Sequence, residues 1–487
     1  MQLSHTRPVA AARFDDPNLV SYAGLVPIMA LAEQSGLLEL ADEHLSVPTD
    51  KGANAGRKIG SVVAGMIAGA DSISDLNRVR HGAMGTLFDR PYAPSTLGSF
   101  LRELTFGHIR QLDAVASRLL GDLAARTPVV AGIDSERVLV DIDDSIIEVH
   151  GYNKQGSSYG YSGVRGLNAL ISTVSTATGA PVIVGQRLRK GSCGSSRGAA
   201  RMIADTLATV GRLRTASTGS SATSGIETGN DDAPGTVSKP LLRADSAFFG
   251  YPTIGAAITG GADVSVTTGL NTVIRAAISA IPGDAWTPIE YTNAIYDEES
   301  QQWISAAEVA EISFTAFASQ KKTHHVPGRL IVRRIPDLRP NTDQGQHQLF
   351  DVWRFHAFFT TIATTDLGTV AADKLHRHHA IIEQVHADLK NSALAHIPSG
   401  KICANAAWLV CAVMAFNLTR AAATLTADPK LLRATTGTIR DAIVSVPARV
   451  ASSARKLTLH LPTNWQWETS WMTLFDKTFH PKRPMIA

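Results

Sequence analysis

The stretch 138–145, Val-Leu-Val-Asp-Ile-Asp-Asp-Ser, constrains the fold more than any other part of the chain. Alternate side chains of a strand share a face. Val138, Val140 and Ile142 therefore point one way, and Leu139, Asp141, Asp143 and Ser145 the other. Asp144 should point away from Asp143. Two acids on an otherwise buried strand are costly unless a metal ion or a cationic side chain neutralises them, which argues for a site and against a solvated face.

Two more acids stand in equally distinct settings. Asp245 closes Leu241-Leu242-Arg243-Ala244-Asp245, a strand end, and Glu383 belongs to a helix expected over 376–390. At about 100° per residue, His376, His379, Glu383, His386, Ala387 and Lys390 share one helical stripe. Ile382, Val385 and Leu389 form a separate apolar stripe that would dock on a sheet. Basic and imidazole groups a turn either side of Glu383 would neutralise phosphate and hold the carboxylate ionised. Taken alone, the stripe reads as well as a polar face with an ordinary Glu383–Lys390 ion pair. Taken together, two strand-borne carboxylates and one helix-borne carboxylate are what a two-metal phosphoryl-transfer site needs. Carboxylates suit Mg²⁺, and two ions can stabilise both the attacking and the leaving oxygen.

A chain of 487 residues exceeds one compact core and suggests several domains. Residues 18–125 lack strand-like alternation and predict helices at 25–40, 57–68, 74–80, 95–105 and 108–125, with Ser74 and Ser95 or Thr96 as N-caps. Bearing Arg78, Arg80, His81 and Arg90, such helices could enter a DNA groove, although a plain bundle needs no DNA. From 128 the texture turns to strands, at 137–149, 168–176, 180–188 and 240–248, with a helix at 197–210. That succession specifies a mixed α/β core. A polar Gly/Ser/Thr-rich loop spans 215–236. After Asp245, β-like runs at 263–268, 286–291, 309–317, 329–335 and 348–359 predict a β-rich subdomain, followed by helices at 366–392 and 403–424. Trp465, Trp467 and Trp471 in the tail are a packing anchor or a partner contact.

The hydrophobic fraction of 44% and charged fraction of 18% are ordinary for a soluble globular protein. Cys193, Cys403 and Cys411 have no metal-ligand spacing and are too few for a disulfide framework, so a reducing cytosol is the expected setting. The N-terminus lacks the pattern of a signal peptide. The most apolar run, 403–416, contains Asn405 and falls short of a membrane span; it predicts a buried helix and no membrane partner. A net charge of +3 says little, but its distribution says more. Six basic residues stand against one acid over 321–340, and seven against three over 440–487; Arg187, Arg189, Lys190, Arg197 and Arg201 form a third cluster. Spaced clusters suit a polyanion tracked over a long surface, while any one of them is as well a solvated face.

Val140-Asp141-Ile142-Asp143-Asp144-Ser145 with His150-Gly151, then Leu242-Arg243-Ala244-Asp245-Ser246-Ala247-Phe248, then Glu383 with Lys390 seven residues on, resemble in order the three motifs of DDE transposases of bacterial insertion sequences. The likeness is to the group 1 kind, with a β-strand insertion before the final glutamate. Ala404-Asn405 and Asn417-Leu418 match a further apolar helix, so the resemblance runs from about Val130 to Ala423. It departs where the family has Tyr and Arg: those positions are His376 and His379. It implies an RNase H-like mixed-sheet α/β core interrupted by a β-rich insertion, with Asp143, Asp245 and Glu383 binding two Mg²⁺ ions, Mn²⁺ substituting. Asp141 would support them from behind, and Lys390, His379, His376 and Arg243 would contact phosphate. The implied layout is a helical DNA-binding domain at 1–127, core at 128–250, insertion at 251–350, core again at 351–425 and a C-terminal region at 426–487. The implied partners are double-stranded DNA, as terminal inverted repeats and target, and a second copy in a synaptic homodimer, in the bacterial cytoplasm.

Two other readings compete. A chain could keep this fold and bind DNA without cutting it, as an inactive or domesticated copy; metal-dependent nicking would exclude that. Paired carboxylates also serve glycoside hydrolases, but the basic clusters argue against a sugar substrate.

Overall fold

The computed structural model describes residues 11–89, 91–151, 153–221, 238–297, 302–336, 353–454 and 456–480. The alternating stretch forms β1 (Leu139–Glu148). A short β2 (Ser158–Tyr159) leads to β3 (Arg165–Ser175), antiparallel to β1, and β3 carries β4 (Val182–Lys190), also antiparallel. The helix Ala199–Ser221 then crosses over, as a parallel connection requires. On the other side of β1, β5 (Leu241–Ala244) runs parallel to it, and β6 (Asp263–Thr268) runs parallel to β5. The sheet continues through β7 (Thr287–Asp297), β8 (Gln302–Ala316), β9 (Val326–Pro336) and β10 (Trp353–Thr360), paired antiparallel in the order β6–β10–β9–β8–β7.

The β-rich run expected after Asp245 continues the main sheet. It keeps a small core of its own, including Ile274, Ile278, Leu330, Val332 and Ala357. Two helices in this part, Tyr251–Thr259 and Thr272–Ser279, were not predicted by the patterning.

The N-terminal helices are Leu25–Gln34, Leu37–His44, Ala55–Ile67, Pro94–Glu103 and Phe106–Arg126, with a 3-10 turn at Ser74–Arg80. The run expected as one helix over 25–40 breaks at Gly36, whose φ of 75° suits glycine. Ser95 and Thr96 are not caps; Pro94 opens that helix after Ala93, and Ile73 precedes the 3-10 turn where Ser74 was expected to cap.

These helices pack on Ile402–Leu425, a helix long and apolar enough to cross a membrane and mostly buried within the fold. One hydrophobic cluster runs from Val20 through Trp408 to Leu474, so the packing does not divide at residue 127. Asn417 on this helix binds the backbone of β4: Ile183 N donates to its Oδ1 at 2.9 Å and its Nδ2 donates to Ile183 O at 2.7 Å. Asn405 does the same for Ser399, accepting from N and donating to O, each at 2.8 Å. The tail tryptophans are packing anchors. Trp471 is 3% exposed, and Trp465 Nε1 donates to Ala442 O at 2.9 Å. Within the expected polar loop, 222–236 lies outside the described residues, as do Arg90, Arg339, Arg455, Lys482 and Arg483.

Candidate active site

The parallel register of β1 and β5 sets Leu139 beside Leu241, Val140 beside Leu242 and Asp141 beside Arg243. Just past the end of that pairing, Asp143 and Asp245 line one cleft, and the charge of Asp245 acts on Asp143. The two rungs differ in charge. In the inner rung Asp141 is fully buried and Arg243 is 1% exposed. Arg243 grips the carboxylate with both arms, Nε to Oδ1 at 2.8 Å and Nη2 to Oδ2 at 2.7 Å, and spends Nη1 on Leu375 O at 2.7 Å. His379 Nδ1 stands 2.8 Å from Asp141 Oδ1. Burial pushes the Asp141 carboxyl up, but Arg243 and His379 outweigh it and hold it below the usual range. An ionised carboxylate only accepts, so His379 Nδ1 carries the proton and Nε2 is left for other work. Arg243 was expected to meet phosphate. It is instead consumed beneath the site, because two carboxylate bonds and a carbonyl occupy its guanidinium.

The outer rung lacks such compensation. Asp143 is half-buried, and burial first, then the charge of Asp245, pushes its carboxyl up to about 7, against the pull of the Asp144 N–H at 2.7 Å. Asp245 opens on the cleft, yet the protein around it raises its carboxyl too, and the Ala247 N–H at 3.0 Å opposes the rise. His386 Nε2 lies 3.8 Å from Asp143 Oδ2, buried and without a hydrogen-bond partner. Burial and Lys390 push that imidazole down to about 4, so it is neutral at pH 7. Lys390 is lowered by burial while Asp143 draws it up. Asp144 points to the opposite face, as alternation predicts, and is held there by Arg189 Nη2 at 2.9 Å and by Asn168.

The third acid arrives on a broken helix. Thr369–Arg377 passes through a 3-10 turn, His378–Ala380, into Ile381–Lys390. Glu383 is exposed on the last of these, one turn beyond His379 and one before His386. Upstream of the break His376 turns elsewhere: Nδ1 is 2.8 Å from Ser265 Oγ, Nε2 is 3.0 Å from Thr267 Oγ1, and the ring stacks on Phe358 at 4.0 Å. Burial drives it down to about 3. With both nitrogens engaged, His376 is not placed to contact phosphate as expected. Among the described residues, no three His, Cys, Asp or Glu side chains gather closely enough to hold a metal ion. Two acids are brought together and the third stands on the adjoining helix. The two carboxylates that share the cleft are nonetheless oxygen donors of the kind a hard divalent cation takes, and the mutual charge that raises Asp143 is what such a cation would relieve.

A family model for the transposase DDE domain, group 1, matches residues 226–480. The chain belongs to that family. The match takes in Asp245 and Glu383 and begins after Asp143. No curated protein matches the sequence. The family implies a metal-dependent polynucleotidyl transferase with DNA substrates.

Three of the five described basic residues over 321–340 of this DDE-family chain are engaged within the fold. Arg329 pairs with Glu311, Arg333 lies 3.6 Å from Asp373, and Arg334 pairs with Glu308 between the rings of Trp286 and Trp353, at 4.2 and 4.4 Å. Lys321 and Lys322 remain exposed, as do Lys190, Arg197, Arg449, Lys456 and Lys477. The Asp141–Arg243–His379 triad escaped the sequence reading. Its signal was present: Arg243 stands two residues before Asp245 as Asp141 stands two before Asp143.

Proposed function

We propose that this chain is a DNA transposase that cuts the ends of an insertion sequence and joins them to target DNA. The supporting observation is the uncompensated outer pair: Asp143 on β1 and Asp245 just past the end of β5 line one cleft, above a rung whose charges cancel. The sheet order β4–β3–β1–β5–β6, three antiparallel strands joined to two parallel ones, supports an RNase H-like core. Asp143 and Asp245, with Glu383 swung in from its helix, would hold two Mg²⁺ ions. Bound there, the ions would neutralise charge on the attacking and the leaving oxygen of an in-line displacement. His379, fixed through Nδ1 by Asp141 and near enough to Asp143 and Asp245 for its charge to act on them, would use Nε2 to accept a proton or to meet a phosphate oxygen. Lys390 supplies a cation beside Asp143. The exposed lysines and arginines track the flanking duplex, and a second copy would bring the other end.

A duplex carrying the repeats that flank the gene is the substrate for the test. Nicking should require Mg²⁺ or Mn²⁺ and stop in EDTA, and Ca²⁺ should permit binding with little turnover. Asp245→Asn should lose more than the roughly 10–100-fold typical of groups that only support a metal ligand. Nicking that persists in EDTA, or in Asp245→Asn, would overturn the proposal.

A further inference from the structure

The helix Ile381–Lys390 holds Glu383 and Lys390 on one side and buries a further acid, Asp388, on another. At about 100° per residue, Asp388 stands roughly 140° round from Glu383. It is 5% exposed. Its carboxyl accepts from Thr436 N at 2.9 Å and from Thr436 Oγ1 at 2.5 Å, and Arg420 Nη2 lies 3.5 Å away. Thr435 Oγ1 takes the Thr438 N–H at 3.2 Å, which leaves the Thr436 N–H to Asp388. Arg420 is itself held: Nη1 donates to Ala434 O, and the guanidinium lies over the Phe416 ring at 5.0 Å.

The segment that Asp388 grips is clamped in turn by the start of the chain. Thr436–Ile439 runs into a π-helical turn, Arg440–Val444. The approach there is close enough that a Cβ on Gly24 would lie 1.9 Å from Ile443 O, and Ala23 N donates to Val446 O at 2.9 Å. Such a fixed anchor matters because of the break at His378–Ala380. His379 is tied to Asp141 within that break, so its bond does not set the rotation of the helix that follows. The buried stripe of Ile382, Val385 and Leu389 selects the inward face, but apolar burial is non-directional. Hydrogen bonds weaken steeply off their axis, and Asp388 supplies them.

We propose that Asp388 is a positioning residue: through Thr436 and Arg420 it sets the rotation of the helix that presents Glu383. It thereby decides whether that carboxylate reaches the metal ions. This rests on the two-metal reading above and adds to it the C-terminal segment as the part that aims the third acid.

The test titrates Mg²⁺ into the full chain and reads the rise in melting temperature, which needs neither DNA nor turnover. Asp388→Asn and Thr436→Val should each weaken Mg²⁺ binding by roughly 10–100-fold, the range for groups that orient a metal ligand. Thr436→Ser keeps the hydroxyl and should match the parent. In a Glu383→Gln background Asp388→Asn should weaken binding no further, because the ligand it aims is already gone. Mg²⁺ binding unchanged in the Asn and Val variants overturns the proposal. So does a serine variant that fails as the valine variant does, or a further loss on top of Glu383→Gln, which a general loosening of the fold would give. Should Asp388→Asn not fold, Thr436→Val is read in both backgrounds by the same criteria. A parent chain that Mg²⁺ does not stabilise would sink the metal reading and this proposal together, whereas a stabilised parent with variants like it would sink the proposal alone.

Discussion

At the scale of single residues, four side chains on two rungs divide the labour. Asp141 and Arg243 neutralise each other in the interior and aim His379. Asp143 and Asp245 remain in excess. A carboxyl held at about 7 in the folded chain, against about 3.9 when unfolded, makes folding pH-dependent in a defined direction. Below pH 4 both states are protonated and Asp143 costs nothing. Between about 4 and 7 the unfolded chain gives up the proton and the folded one keeps it, so this residue's contribution to stability falls as pH rises. A divalent ion holds the ionised form, so Mg²⁺ should raise the melting temperature more at pH 8 than at pH 5, and Asp143→Asn should remove that difference. An equal Mg²⁺ shift in parent and variant would refute it. That Asp141 and Asp143 share a face was legible from alternation. That Arg243 would turn inward was not, because a lone arginine in a sequence carries no mark of what buries it.

At the scale of elements, the pattern gave strands well where alternation or β-branched runs are sustained. The run 263–268 was placed at its observed bounds, and the strand at 137–149 within two residues. Helices were placed less well, since periodicity does not register a single left-handed glycine such as Gly36 or a 3-10 turn such as His378–Ala380. His376 lies on the helix before that turn and His379 within it, so two residues expected on one stripe serve different strands. The helix Ile402–Leu425 shows the opposite case. Its burial was plain from composition, but the purpose of its asparagines was not. Asn417 closes both backbone groups of Ile183, and Asn417→Leu would leave a buried N–H and a buried C=O unpaired, at about 1–3 kcal/mol each. Urea unfolding of the variant should show a loss of that size. A loss under about 0.5 kcal/mol, the size of an ordinary surface change, would mean that water or a shifted strand replaces the amide.

At the scale of the molecule, the N-terminal helices and the sheet share one core through Ile402–Leu425, although length and texture had pointed to separable domains. The strands that pair the tail with the start of the chain, Ala448–Ser453 with Leu19–Val20, reinforce this. Removing residues 1–127 should therefore uncover the apolar surface of the central helix and yield no soluble folded fragment, and the whole chain should melt in one transition. A fragment of residues 128–487 that unfolds cooperatively would contradict that.

The two rungs have a consequence for transplantation and redesign. Asp-x-Asp and Arg-x-Asp stand about a hundred residues apart in the chain, yet they form a single composite device whose halves interlock through the strand register. Moving either half alone into another parallel sheet would import a buried charge without its counterweight, and slipping one strand by a single residue would turn both acids to the wrong side of the sheet.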